Sequence, residues 1–271
     1  MRDMPTFNSF AAALALMAPL MTLNAAQAAP GGDKARVSFV AGGGLVEGAY
    51  QAAIVIELAP NTTTYWRNPG EAGSPPSFDF SASTNLAGFE VAMPAPQRIV
   101  EAGLDVFGWH DRVAFAVTLK PKDAAKPVTA DLKMDYAACE KICIPMHAEA
   151  KLNLAPQGSA GAAPSVVAAA RASTPKSVQA DSAVTLTPIA GGEKPAWKVA
   201  PKAEVATDLF AEPPDGYFAE TKREADGSFR LTLAEAPKDA PLPKAPVRLT
   251  LARPEGALEF TVRLDGGRTT P

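Results

Sequence analysis

Period-two alternation of apolar and polar residues dominates this chain. Leu132, Met134 and Tyr136 alternate with Asp131, Lys133 and Asp135, and Ala150, Leu152 and Leu154 alternate with Glu149, Lys151 and Asn153. Val113, Phe115, Val117 and Leu119 form an equally regular face opposite Ala114, Ala116 and Thr118. Such alternation predicts strands buried on one side. Val37–Val40, Tyr50–Leu58, Thr62–Trp66 and the Phe78/Phe80 pair add further strands, with Arg67-Asn68-Pro69-Gly70 read as a turn. About eight strands are expected between Arg36 and Leu154, and no helical period competes with them. The predicted fold there is an antiparallel, immunoglobulin-like β-sandwich over residues 29–155.

The pattern lapses over 156–181, which is rich in Ala, Pro, Ser and Gly and reads as an interdomain linker, with room for a helical turn or two at Val166–Arg171. It then resumes. Phe229/Leu231/Leu233, Val247/Leu249/Leu251 and Leu258/Phe260/Val262/Leu264 each alternate with polar residues, and shorter runs lie near Val184 and Phe210. Residues 182–271 are therefore expected to form a second, smaller β-sandwich domain. The whole chain is all-β.

Residues 1–28 have a different logic. An apolar run from Phe10 to Leu23 ends in Ala26-Gln27-Ala28, the small-x-small pattern of a signal-peptide cleavage site. The run is too short to span a bilayer. This predicts an exported, periplasmic protein that does not span the membrane. A net charge of −3, with both signs mixed, supplies no reason to invoke nucleic acid.

The candidate chemistry sits in Met134–His147, which holds both cysteines of the chain, Cys139 and Cys143. They fall where one predicted strand ends and the next begins. Three readings are open. A structural disulfide is one, since exported dithiols oxidise. The loop it closes is so short that it contributes only roughly 2 kcal/mol, and it restrains little beyond its own turn. Thiol–disulfide exchange is the second; a close pair resolves a mixed disulfide rapidly, and Lys141 between the cysteines would lower a thiol pKa if directed at it. The third is a Cu(I) site built from Cys139, Cys143, Met146 and His147, a set of soft ligands. His110, the other histidine, reads as a surface or packing residue.

Beyond the cysteine pair itself, an ordered set of residues carries a family resemblance. Tyr65-Trp66-Arg67-Asn68-Pro69-Gly70-Glu71-Ala72-Gly73-Ser74-Pro75-Pro76, then Pro94-Ala95-Pro96-Gln97-Arg98, Gly108-Trp109 and Tyr136-Ala137-Ala138-Cys139-Glu140-Lys141-Ile142-Cys143-Ile144-Pro145 together resemble the N-terminal periplasmic domain of DsbD/ScsB-type thiol:disulfide interchange proteins. The similarity covers roughly Val37–Leu154. It implies an immunoglobulin-like domain whose dithiol, Cys139 and Cys143, relays electrons from a thioredoxin-like domain fed by a membrane thiol reductase. The clients it implies are periplasmic proteins such as disulfide isomerases or cytochrome c maturation factors. Cys143 is the position implied to form the mixed disulfide with the donor. Tyr65 and Trp66 are the positions implied to shield the pair, Pro145 closes the motif, and a cap loop is implied within Arg98–Leu104. The ScsB branch adds a two-domain β region and an association with copper tolerance. Through Pro271 the chain contains neither the membrane module nor the thioredoxin-like domain of the long family members, so the expected electron supply is another protein.

Overall fold

A computed structural model describes residues 34–159, 161–202 and 205–264; the expected signal peptide lies outside the described residues. The first sandwich contains β1 (Ala35–Ala41), β2 (Tyr50–Leu58), β3 (Thr63–Gly70), β4 (Ser77–Asp79), β5 (Leu86–Ala92), β6 (Gln97–Glu101), β7 (Leu104–His110), β8 (Arg112–Pro121), β9 (Val128–Cys139) and β10 (Cys143–Leu154). One sheet has the order β1-β2-β8-β5 and the other β10-β9-β3-β7-β6, with β4 paired to β9. The alternation seen in the sequence explains the layers. Phe39, Ile54, Ile56, Phe115 and Leu119 face Leu132, Met134 and Tyr136 across one continuous core, while Lys133 and Asp135 point away from it.

Ten strands replace the expected eight or so, and the additions have a physical reason. β5 and β6 are terminal strands with mostly exposed or half-buried residues, so they lack a continuous apolar face. β7 has the opposite difficulty. Val106, Phe107, Gly108 and Trp109 are all buried, on both faces, so no alternation shows. The expected turn at Arg67–Gly70 is instead the end of β3. Its pairing with β7 runs from Thr63 to Tyr65 and resumes only at Gly70, leaving Trp66–Pro69 as a bulge.

The segment after β10 is packed down. Helix α1 (Pro164–Ala172) starts at a proline and buries Val167 and Ala170 on Ala53 and Ala116, on the outer side of the four-stranded sheet. Alanines on β2 and β8 make a seat shallow enough for a helix. Gly42 completes it, since a Cβ there would lie 3.1 Å from Val167 Cγ1.

The second sandwich follows: β11 (Lys176–Ser177), a short α2 (Ala180–Ala183), β12 (Val184–Ile189), β13 (Ala196–Pro201), β14 (Asp208–Glu212), β15 (Phe218–Arg223), β16 (Phe229–Glu235), β17 (Val247–Ala252) and β18 (Leu258–Val262). Its two sheets run β11-β18-β17-β14 and β12-β13-β16-β15, around Val199, Leu209, Phe229, Leu231, Leu249 and Leu251. β14 joins the two units by its own period of two. Leu209 and Ala211 enter the second core, whereas Phe210 enters the first, against Trp66 and Phe107 at ring-centroid distances of 5.9 and 5.0 Å.

Candidate functional site

β9 and β10 form a hairpin with a three-residue turn, Glu140-Lys141-Ile142. Cys139 ends one strand and Cys143 opens the other, directly opposite in register. Opposed side chains in an antiparallel pair share a face, here the outer one, and the two cysteines are joined by a disulfide with Cα atoms 4.0 Å apart.

The two sulfurs live in different surroundings. Cys139 is 3% exposed and packs with Tyr65, Val106 and Ala137, with Ala72 and Ile99 at the margin. Cys143 is exposed and opens onto a groove of about 640 Å³. Ser74 and Pro75 form one bank of that groove; Pro145 and His147 form the other. β10 is a terminal strand of its sheet, the kind of position where a proline such as Pro145 is tolerated.

Tyr65 is the cover. β3 pairs with β9 at Thr63 and Cys139, so Thr63 and Tyr65 share the disulfide's face. The Tyr65 hydroxyl donates to Glu101 Oε2 at 2.8 Å and lies 3.5 Å from Cys143 Sγ. Burial, reinforced by the Glu101 carboxylate, pushes the phenol well above its ordinary pKa, so it stays protonated. Gly73 lets the following loop lie flat on this ring. Its φ is +101°, and a Cβ there would fall 2.4 Å from Tyr65 Cδ1. Glu71 fixes the loop by accepting from the Asp105 backbone N–H at 2.6 Å, while its own N–H donates to the Asp105 carbonyl at 2.9 Å.

The remaining expected residues are dispersed. Trp66 does not shield the disulfide, which corrects the expectation; successive strand residues face opposite ways, and Trp66 is in the core beside Phe210. Lys141 is exposed in the turn, next to Glu140. The Glu140 carboxyl is held below its usual range by a hydrogen bond from Lys34, with Lys141 adding a smaller pull. The copper set is not gathered. Met146 is on the inner face against the core, opposite to Cys143. His147 shares the outer face but lies four residues along the strand, about 13 Å at 3.3 Å per residue. Its ring contacts Asp135 at 2.8 Å and Glu149 at 3.3 Å. His110 is half-buried, 3.3 Å from the Thr63 hydroxyl. Reading the sequence alone missed Glu101 and Gly73 as site residues. Glu101 falls inside the expected cap, and Gly73 within the Tyr65–Pro76 motif.

A hairpin disulfide with one buried and one open sulfur, under a tyrosine held by a carboxylate, places the first sandwich in the class of dithiol/disulfide proteins. Residues 30–155 match the family described as thiol:disulfide interchange protein DsbD, N-terminal. Among solved structures, the fold is similar to the N-terminal periplasmic domain of ScsB from Proteus mirabilis. The TM-score is 0.64 at 18% identity, covering 86% of this chain and 94% of that one. No curated protein sequence matches. No helix among the described residues is long and apolar enough to cross a membrane.

Proposed function

We propose that this is a periplasmic electron carrier working by thiol–disulfide exchange at Cys139 and Cys143. The observation that carries the reading is the unequal exposure of the two sulfurs. A donor thiolate approaching from the groove meets Cys143 Sγ, with Cys139 behind it as the leaving sulfur. A donor–Cys143 bond forms, the Cys139–Cys143 bond breaks, and Cys139 takes up a proton. The donor's second thiolate then attacks its own sulfur in the mixed disulfide and releases Cys143. Two electrons and two protons have passed to the pair, and the donor is left oxidised. Delivery reverses the chemistry. The Cys143 thiolate attacks a client disulfide, and Cys139 resolves the bond, leaving the client reduced and the pair oxidised again.

The exposure of Cys143 assigns nucleophilic attack to it, since a client disulfide reaches that sulfur and not the buried Cys139. A protein partner suits the surroundings. Ile142, 77% exposed, and Ile144 flank Cys143, while Val100, 70% exposed, and Leu104 sit on the hairpin that supplies Glu101. The donor is a thioredoxin-like domain or membrane thiol reductase, and the clients are periplasmic proteins carrying disulfides.

The reduction potential of the pair, measured by equilibration with glutathione, is expected within the carrier range of about −120 to −270 mV; a value below about −300 mV indicates an inert structural bond. Cys143→Ala is expected to abolish exchange with a thioredoxin-like donor and leave both sandwiches folded, because the lost cross-link is worth only roughly 2 kcal/mol. Undiminished exchange, or unfolding, overturns the reading.

A further inference from the structure

The second sandwich has no cysteine or histidine, yet it is bolted to the strands that build the disulfide's cover. The bulge in β3 turns Arg67 and Asn68 towards it. Arg67 Nε donates to Glu212 Oε2 and Nη2 to Glu212 Oε1, both at 2.7 Å, and Arg67 also pairs with Glu259. Asn68 Nδ2 donates to the Ala211 carbonyl at 2.7 Å. On β6, Arg98 forks onto Asp208 at 2.9 and 3.0 Å, reaches Thr221 Oγ1 at 2.9 Å, and holds Asp105 of β7 at 2.7 Å. Its guanidinium also lies over Phe107 and Phe210.

Arg67 is two residues beyond Tyr65, and Arg98 is three residues before Glu101. The Tyr65–Glu101 hydrogen bond therefore joins two strands that flank β7 in the sheet and that the second sandwich grips separately. On β14 the gripping residues Asp208, Phe210 and Glu212 occupy one face, the alternate positions of a single strand. Bidentate, partly buried arginine–carboxylate pairs fix orientation as well as distance, which loosely held surface pairs do not.

We propose that the second sandwich is a positioning scaffold for the redox site, with Arg98 and Arg67 as positioning residues that hold the Tyr65–Glu101 cover against the Cys139 side of the disulfide. Loosening the grip lets the edge strand β6 shift on β7 and draws Glu101 away from Tyr65, the cover opens more often, and the disulfide becomes easier to reach. This role presupposes the exchange function, yet reduction by a small reagent reports on it without any protein partner.

The test is the rate at which dithiothreitol reduces the disulfide in the full chain, with Arg98→Met, which keeps an apolar stem on Phe107 and Phe210. Reduction is expected to quicken at least about fivefold, the lower end of ordinary coupling between sites. Arg98→Lys should restore part of the protection. In a Tyr65→Phe background, Arg98→Met should add no further acceleration, because the bond it guards is already absent. An unchanged rate in a folded variant overturns the proposal. So does an acceleration that adds in full to that of Tyr65→Phe, since a general loosening of the fold produces that pattern. If Arg98→Met does not fold, Asp208→Asn, which removes the charge from the second sandwich and keeps its shape, decides by the same two comparisons.

Discussion

The two sandwiches use the same construction and differ in what is laid on it. In the second, outward residues such as Lys198 of β13 and Arg230 of β16 meet solvent, and their pairs with Asp226 and Glu224 are exposed. In the first, Tyr65, the loop after β3 and Ile99 of β6 pack around Cys139 on the outer face of the six-stranded sheet, while Cys143 stays open. Paired strands supply a rigid surface; the chemistry comes from the pieces that bury one sulfur and leave the other open. The comparison also shows where the sandwiches are not equivalent. β14 belongs to the second sandwich by hydrogen bonding, yet its Phe210 is part of the first core.

Phe210→Ala tests that shared residue most severely. Truncating a fully buried phenylalanine costs about 3–5 kcal/mol, and the loss should appear in the first sandwich as well as the second. Denaturant unfolding followed by tryptophan emission, to which Trp66 contributes, should shift accordingly. A change below about 1 kcal/mol, smaller than any ordinary buried phenylalanine truncation, would show that the two units are energetically separate.

Gly73→Ala acts on the cover alone. The left-handed backbone there costs a non-glycine residue about 1–2 kcal/mol, and the new methyl must displace the Tyr65 ring. Lower stability with faster reduction of the disulfide is the expected pair of results. Wild-type stability in that variant would remove the close loop–ring packing from the account.

The smallest effect concerns His147. Hydrogen bonding to Asp135, then to Glu149, raises its pKa above the ordinary histidine value. A histidine with a raised folded-state pKa stabilises fully below its unfolded pKa, and the contribution fades as pH rises through the folded value. The side chain is exposed, so solvent screening keeps the effect slight. Wild type should gain slightly in melting temperature over His147→Asn near about pH 5.5, below the ordinary histidine pKa of about 6.5, and lose that advantage near about pH 8. An equal difference at both pH values would show that the charged imidazole does not stabilise the pair of strands.

Much of this molecule was legible in the residue pattern. The alternation in β9, β10 and β16 marks their buried faces directly, because one side of each meets a core and the other meets mostly water. The strands that escaped notice break that condition: β6 has little buried surface, and β7 is buried on both sides. At the site, the cysteine pair and Tyr65 stand out in the sequence, and Trp66 was grouped with Tyr65 only because the two are adjacent. Which of two neighbouring aromatics faces the sulfur depends on β3's register with β9, a long-range pairing that no local pattern contains.

The sequence by itself determined an all-β chain, two core-forming stretches, and a dithiol at the junction of two strands, since these follow from periodicity and composition within short windows. Tertiary structure alone decided that Cys139 is buried and Cys143 open, that Glu101 holds Tyr65, and that Arg67 and Arg98 reach into the second sandwich. Each of those facts joins residues tens to more than a hundred positions apart, and their geometry exists only once both sheets and both sandwiches have packed.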